Sequence, residues 1–113
     1  MDNEKSDGYY IAKALNEINI IIKYMEGIND YDEFVKDDMR LDGILFRMIQ
    51  MVEQIKFLSE DYKAVHSDIP WGEIIGFRNG LVHEYGKTDY IIVYEIASRD
   101  IFLLKKLFER TGK

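Results

Sequence analysis

The sequence predicts an all-α protein: an antiparallel bundle of four main helices joined by short turns. Three observations predict it. Apolar residues recur at three- and four-residue spacing over long stretches, as one buried helix face requires. One proline and eight glycines force too few turns for a strand-rich sandwich. The 113 residues, 47% of them apolar, suit a single domain over 1–113 with one core.

The first helix spans about 9–28, with Ile11, Leu15, Ile18, Ile22 and Met25 on its inner face. Ser6 or Asp7 is its predicted cap, and Gly27 helps to end it. An acidic connection over 29–34 follows, and Phe34 and Val35 tuck a short turn against the core. The second helix begins at 37 or 38 and runs to about 62, with Leu41, Leu45, Met48, Val52, Ile55 and Leu58 inward. Gly43 lies inside it, at a cost of about 1 kcal/mol against alanine. Ser67 or Asp68 can cap the third helix, and Pro70 suits its first turn. That helix ends near His83 or Tyr85, where Gly86 and Lys87 break the pattern. Thr88 or Asp89 caps the fourth, which runs to about 110 with Ile92, Ile96, Phe102 or Leu103, and Leu107 inward.

Composition narrows the function. There is no cysteine, which excludes disulfides and thiolate metal sites, and two histidines alone do not make a zinc site. No apolar run approaches bilayer thickness, and the polar start of the chain is unlike a secretory signal. A cytoplasmic protein is expected. The net charge of −6 weighs against broad, non-specific binding of nucleic acid, which depends on phosphate neutralisation. It leaves room for a local basic site, or for a partner with a basic surface.

The densest stretch is the third helix, which carries Arg78, Asn79, His83 and Tyr85. At about 100° of rotation per residue, Asn79 and His83 share a face, as do Arg78 and Tyr85. Arg78 and His83 lie about 140° apart, so they converge only if the arginine bends round, the helix deforms, or a second chain brings its own copies close. Cutting RNA without a metal needs a base for the 2′-hydroxyl, an acid for the leaving oxygen, and a cation for the phosphorane. Histidine can supply either proton transfer, and arginine grips phosphate oxygens in pairs. One histidine cannot do both jobs in a concerted step; a two-fold dimer supplies two. Spacing alone leaves the ordinary alternative open: Arg78 as a solvated charge, and His83 as a helix-end histidine favoured by the dipole.

The motif Arg78-Asn79-x-x-x-His83-x-Tyr85 resembles the Arg-x4-His-x-Tyr motif of HepT-like toxins in the HEPN superfamily. Ile69-Pro70-Trp71, Gly76-Phe77, Tyr24-Met25-Glu26-Gly27, the run Met48 to Glu53, and the run Asp89 to Tyr94 extend the resemblance from about Ile11 to Leu107. It implies a HEPN-like two-fold homodimer and a metal-independent endoribonuclease centre shared between subunits. Arg78 and His83 would be catalytic, and Asn79 would support the site. No cofactor and no membrane are involved. RNA is the implied substrate. The implied partner is a minimal nucleotidyltransferase antitoxin that transfers AMP to the motif tyrosine, here Tyr85, whose added phosphate would repel RNA. The alternative function is a non-catalytic dimer that docks such a partner.

The chain departs from the family pattern at four places. Gly72 and Gly80 stand where relatives often carry larger, frequently basic residues. Glu84 replaces a common glycine, and Tyr94 a frequent tryptophan. Glu84 is either a solvated helix-end charge or a group that raises the pKa of His83. Gly72, Gly76 and Gly80 form a bare stripe that fits either close packing within the monomer or close approach of a second subunit. Trp71 reads as a core residue, Tyr9 and Tyr10 as core or interface, and His66 as a loop residue. The acidic residues over 30–42 fit no calcium loop and read as a solvated face.

Overall fold

The computed structural model describes residues 6–83 and 89–111, with 82 and 83 described by backbone alone. Every regular element among the described residues is helical: α1 (Asp7–Tyr24), α2 (Tyr31–Lys36), α3 (Asp38–Lys56), α4 (Glu60–Val65), α5 (Trp71–His83), α6 (Tyr90–Glu95), a π turn (Ile96–Asp100) and α7 (Ile101–Thr111). The last three form one continuous final helix.

Side-chain caps set the helix starts, satisfying backbone N–H groups that have no partner in a first turn. Ser6 Oγ accepts from Tyr9 N, Asp30 from Glu33 N, Asp37 from Arg40 N, and Asp89 from Ile91 N. Two of the acidic residues over 30–42 are therefore caps. Beyond α1, Gly27 takes φ +85, a left-handed conformation that disfavours a Cβ.

Cross-contacts fix the helix directions. Asp7, at the start of α1, accepts from the backbone N and Oγ of Ser59, just beyond α3, both at 2.8 Å. Arg47 in mid-α3 meets Glu17 in mid-α1 at 3.1 Å. The carboxylate it donates to raises its pKa further above the ordinary guanidinium value. Arg40, near the start of α3, donates to the Glu26 carbonyl beyond the end of α1. These pairings make α1 and α3 antiparallel. Tyr94 near the start of the final helix packs on Tyr31 and Phe34 of α2. Phe108 near its end stacks on Trp71, ring centroids 5.9 Å apart, and Thr111 O accepts from the Tyr62 hydroxyl. The final helix thus runs opposite to α1, and the four long elements alternate in direction, as the short connections predict.

The core is mainly aliphatic: Ile11, Ile18, Ile21, Ile44, Met48, Val52, Ile55, Val93 and Ile101 are fully buried, together with the aromatic Phe34 and Phe108. Burial of each such side chain contributes roughly 1.5–3 kcal/mol relative to exposure. The predicted inner face of the second helix is buried in full, from Leu41 to Leu58, and that of the first is buried or half-buried throughout.

Two expectations are corrected. The second helix does not reach 62. It ends at Lys56, and Ser59 caps a separate α4 by accepting from Tyr62 N. Ser-Glu-Asp at 59–61 is a proper start signal, and the Asp7 carboxylate pins it to α1. The inner face of the final helix is also out of phase with the expected one. Ile92, Phe102 and Leu103 are exposed, Ile96 and Leu107 are half-buried, and Val93, Ala97, Ile101 and Phe108 hold the core. The covered stripe lies one position beyond the expected one both before (Val93) and after (Phe108) the π turn over Ile96–Asp100, so the difference is a choice of face set by what packs opposite. No described helix is long and apolar enough to cross a membrane.

Candidate functional site on α5

Helix α5 follows the predicted start. Pro70 O accepts from Ile74 N, and the helix begins at Trp71. Trp71 is buried, and its indole N–H is shared between the carbonyls of Lys63 (3.2 Å) and His66 (3.1 Å). This anchors the N-terminus of α5 to the end of α4, and Trp71 is a core residue as expected. His66 caps α4, its ring centroid 4.6 Å from that of Tyr62.

The inner stripe of α5 runs through Trp71, Ile74, Arg78 and Leu81, at spacings of three and four. Trp71 and Leu81 are buried and Ile74 packs on the core. Arg78 therefore points toward α3. Its side chain is only 19% exposed, and its Nε lies 2.6 Å from Oε2 of Glu53, a residue of α3 that is itself 29% exposed. Both atoms are closed off from solvent, and the N–H does not aim at the oxygen, so the contact is ionic rather than a hydrogen bond. Arg78 Nη1 donates to Asn79 Oδ1 at 3.2 Å. The solvated-charge reading of Arg78 is thereby excluded.

The outer stripe is different. Gly72 and Gly76 are exposed, and a Cβ built on Gly72, Gly76 or Gly80 would meet nothing within 4 Å among the described residues. Packing among the described residues does not account for these glycines. Position 83 is seven residues beyond Gly76 and three beyond Gly80, which places it on this same outer stripe, with exposed Asn79 alongside. The His83 side chain lies outside the described residues. So do Glu84, Tyr85, Gly86, Lys87 and Thr88, and with them the tyrosine expected to be modified, the predicted break and the alternative cap.

The structure thus brings Arg78 and Asn79 together and ties Arg78 to a residue that sequence reasoning left without a role. Glu53 had one visible signal: it is the single acidic residue between Gly43 and Lys56. Among the described residues no three of His, Cys, Asp and Glu stand close enough to share a metal ion.

A family model described as HepT-like, for ribonuclease HepT-like proteins, matches residues 14–111. The chain belongs to the HepT-like family. Its helix α5, with Arg78 and His83, lies wholly inside the matched region. A protein of Caldanaerobacter subterraneus subsp. tengcongensis designated a candidate RNase is 34% identical over 98 residues, 86% of each chain. One of Methanocaldococcus jannaschii with a similar designation is 28% identical over 88% of this HepT-like chain and 91% of its own. A candidate HepT ribonuclease of Thermococcus cleftensis is 26% identical over 97% of this chain and 99% of its own. No solved structure matches the chain.

Proposed function

We propose that this chain is a metal-independent endoribonuclease and the toxin of a toxin–antitoxin pair. Its centre is formed by Arg78 and His83 from two subunits that meet along α5. One observation carries the reading. A single short helix holds an arginine fixed on its inner flank and presents a bare outer face that bears the position of His83. On one helix these two groups diverge by about 140°. A second copy laid against the glycine face brings the two His83 positions close together. Each arginine, whose Nη1 reaches round to Asn79 Oδ1 beside that face, completes the groove from its flank. One imidazole takes the 2′-hydroxyl proton, and its oxygen attacks the adjacent phosphorus. The other imidazole, protonated, gives its proton to the departing 5′-oxygen. The guanidinium steadies the charge on the phosphorane. The acid and base end the step with their protons exchanged, which explains the need for two histidines.

The test is RNA cleavage by the purified protein with and without a chelator, beside Gly76→Trp. The wild type is expected to be a dimer that cuts RNA equally in both conditions. A Cβ at Gly76 would meet nothing within 4 Å among the described residues, so the variant should fold, run as a monomer and lose cleavage. A Gly76→Trp protein that cuts as a monomer would refute the shared site. A wild-type dimer that leaves varied RNAs intact would favour the binding-module alternative, with which the net charge of −6 agrees.

The partner in this reading is a minimal nucleotidyltransferase antitoxin, which silences the toxin by placing AMP on Tyr85. AMP adds a bulky anion two residues from His83, where an incoming RNA phosphate would be repelled. Incubation with the partner, ATP and magnesium is expected to add one AMP to the protein. Peptide mapping should place it on Tyr85, and a Tyr85→Phe protein that is still labelled would refute the assignment.

A further inference from the structure

We infer that Glu53 is a positioning residue for Arg78, holding its guanidinium in the orientation that an RNA phosphate meets. The inference rests on the nuclease reading and adds a residue from a different helix to the site. Arg78 is gripped at two points. Glu53 Oε2 lies 2.6 Å from Nε, and Asn79 Oδ1 accepts from Nη1 at 3.2 Å. Nη2 has no partner among the described residues. Two fixed nitrogens set both the position and the plane of a guanidinium, and leave the remaining N–H groups for an anion.

Glu53 is placed to do this rather than to neutralise the site. Its oxygen engages the Nε side, closed off from solvent, so a phosphate can approach the remaining donors without displacing it. Without Glu53, a long arginine regains its rotamers, and a catalytic group misplaced by about 1 Å can lose of the order of 100-fold in rate. Removing Glu53 also takes away a negative charge near the bound phosphates, which strengthens RNA binding. The two effects have opposite signs, and a general loss of structure cannot imitate that combination.

The experiment is Glu53→Gln in the full chain. It keeps the side-chain shape and removes the charge. A fall of about tenfold or more in kcat is expected, with KM for RNA unchanged or lower. Glu53→Asp should recover part of the rate. The second readout is independent of activity. In 15N-labelled wild type, the Arg78 Nε–H should give a slowly exchanging NMR signal, identified by its absence in Arg78→Lys. That signal should exchange rapidly in Glu53→Gln. An unchanged Nε–H signal, an undiminished kcat, or a rise in kcat overturns the inference; a rise would mean that Glu53 restrains the site. Failure of the wild type itself to cut RNA overturns the nuclease reading and the positioning role together. The NMR signal would then still show whether the pair forms.

Discussion

His83→Ala is expected to lower RNA cleavage by about 10²–10⁴-fold while the dimer and the helical content stay as in the wild type. That is the range over which a positioned acid or base contributes to a rate. In a two-fold site the substitution removes both imidazoles at once, so the base and the acid are lost together and the upper part of the range applies. The measurement is single-turnover cleavage of a labelled RNA with a chelator present, beside size-exclusion and circular dichroism controls. The wild type should show a bell-shaped dependence on pH, because one imidazole must be neutral and the other protonated at the same moment. A His83→Ala protein that cuts at the wild-type rate would remove this residue from the site.

Arg78→Lys should lower cleavage by about 10²–10³-fold, the loss seen when one donor to a transition-state oxyanion is removed. Lysine keeps the charge but not the planar fork. It cannot touch Glu53 and a phosphate with fixed donors at the same time. Stability should fall little, because a cation still lies near the Glu53 carboxylate. Arg78→Ala differs in that respect. It leaves a half-buried carboxylate without its partner, and unfolding in urea should show a loss of about 1–3 kcal/mol, moderated by the 29% exposure of Glu53. The pair of variants separates chemistry from folding. If Arg78→Lys cuts RNA like the wild type, the guanidinium has no special part in the reaction.

Much of this molecule is legible before any coordinates. The stripes Ile11–Met25 and Leu41–Leu58 have one apolar phase each, and an amphipathic helix with one apolar phase has one way to face a core. The start of α5 is equally plain, because Pro70 and Trp71 serve the start of the helix and the core in turn. The final helix misled because it carries two overlapping stripes. Ile92, Ile96 and Leu107 are larger and more apolar than Ala97, yet Ala97 is the residue fully buried. Which stripe is covered depends on what lies opposite, and that is not a local property.

The same division holds for the candidate site. The sequence by itself determined an all-helical chain, the one helix that concentrates arginine, histidine and glycine, and the family to which that helix points. Those features live in periodicity and motif, which are properties of neighbours along the chain. The tertiary structure alone decided that Arg78 is held by Glu53, a residue 25 positions away on another helix, and that a Cβ on the glycine stripe would meet nothing within 4 Å among the described residues. A side chain's charge partner and a surface left bare depend on how helices are laid against one another. Helical spacing fixes where a residue sits on its own helix and carries no information about what faces it.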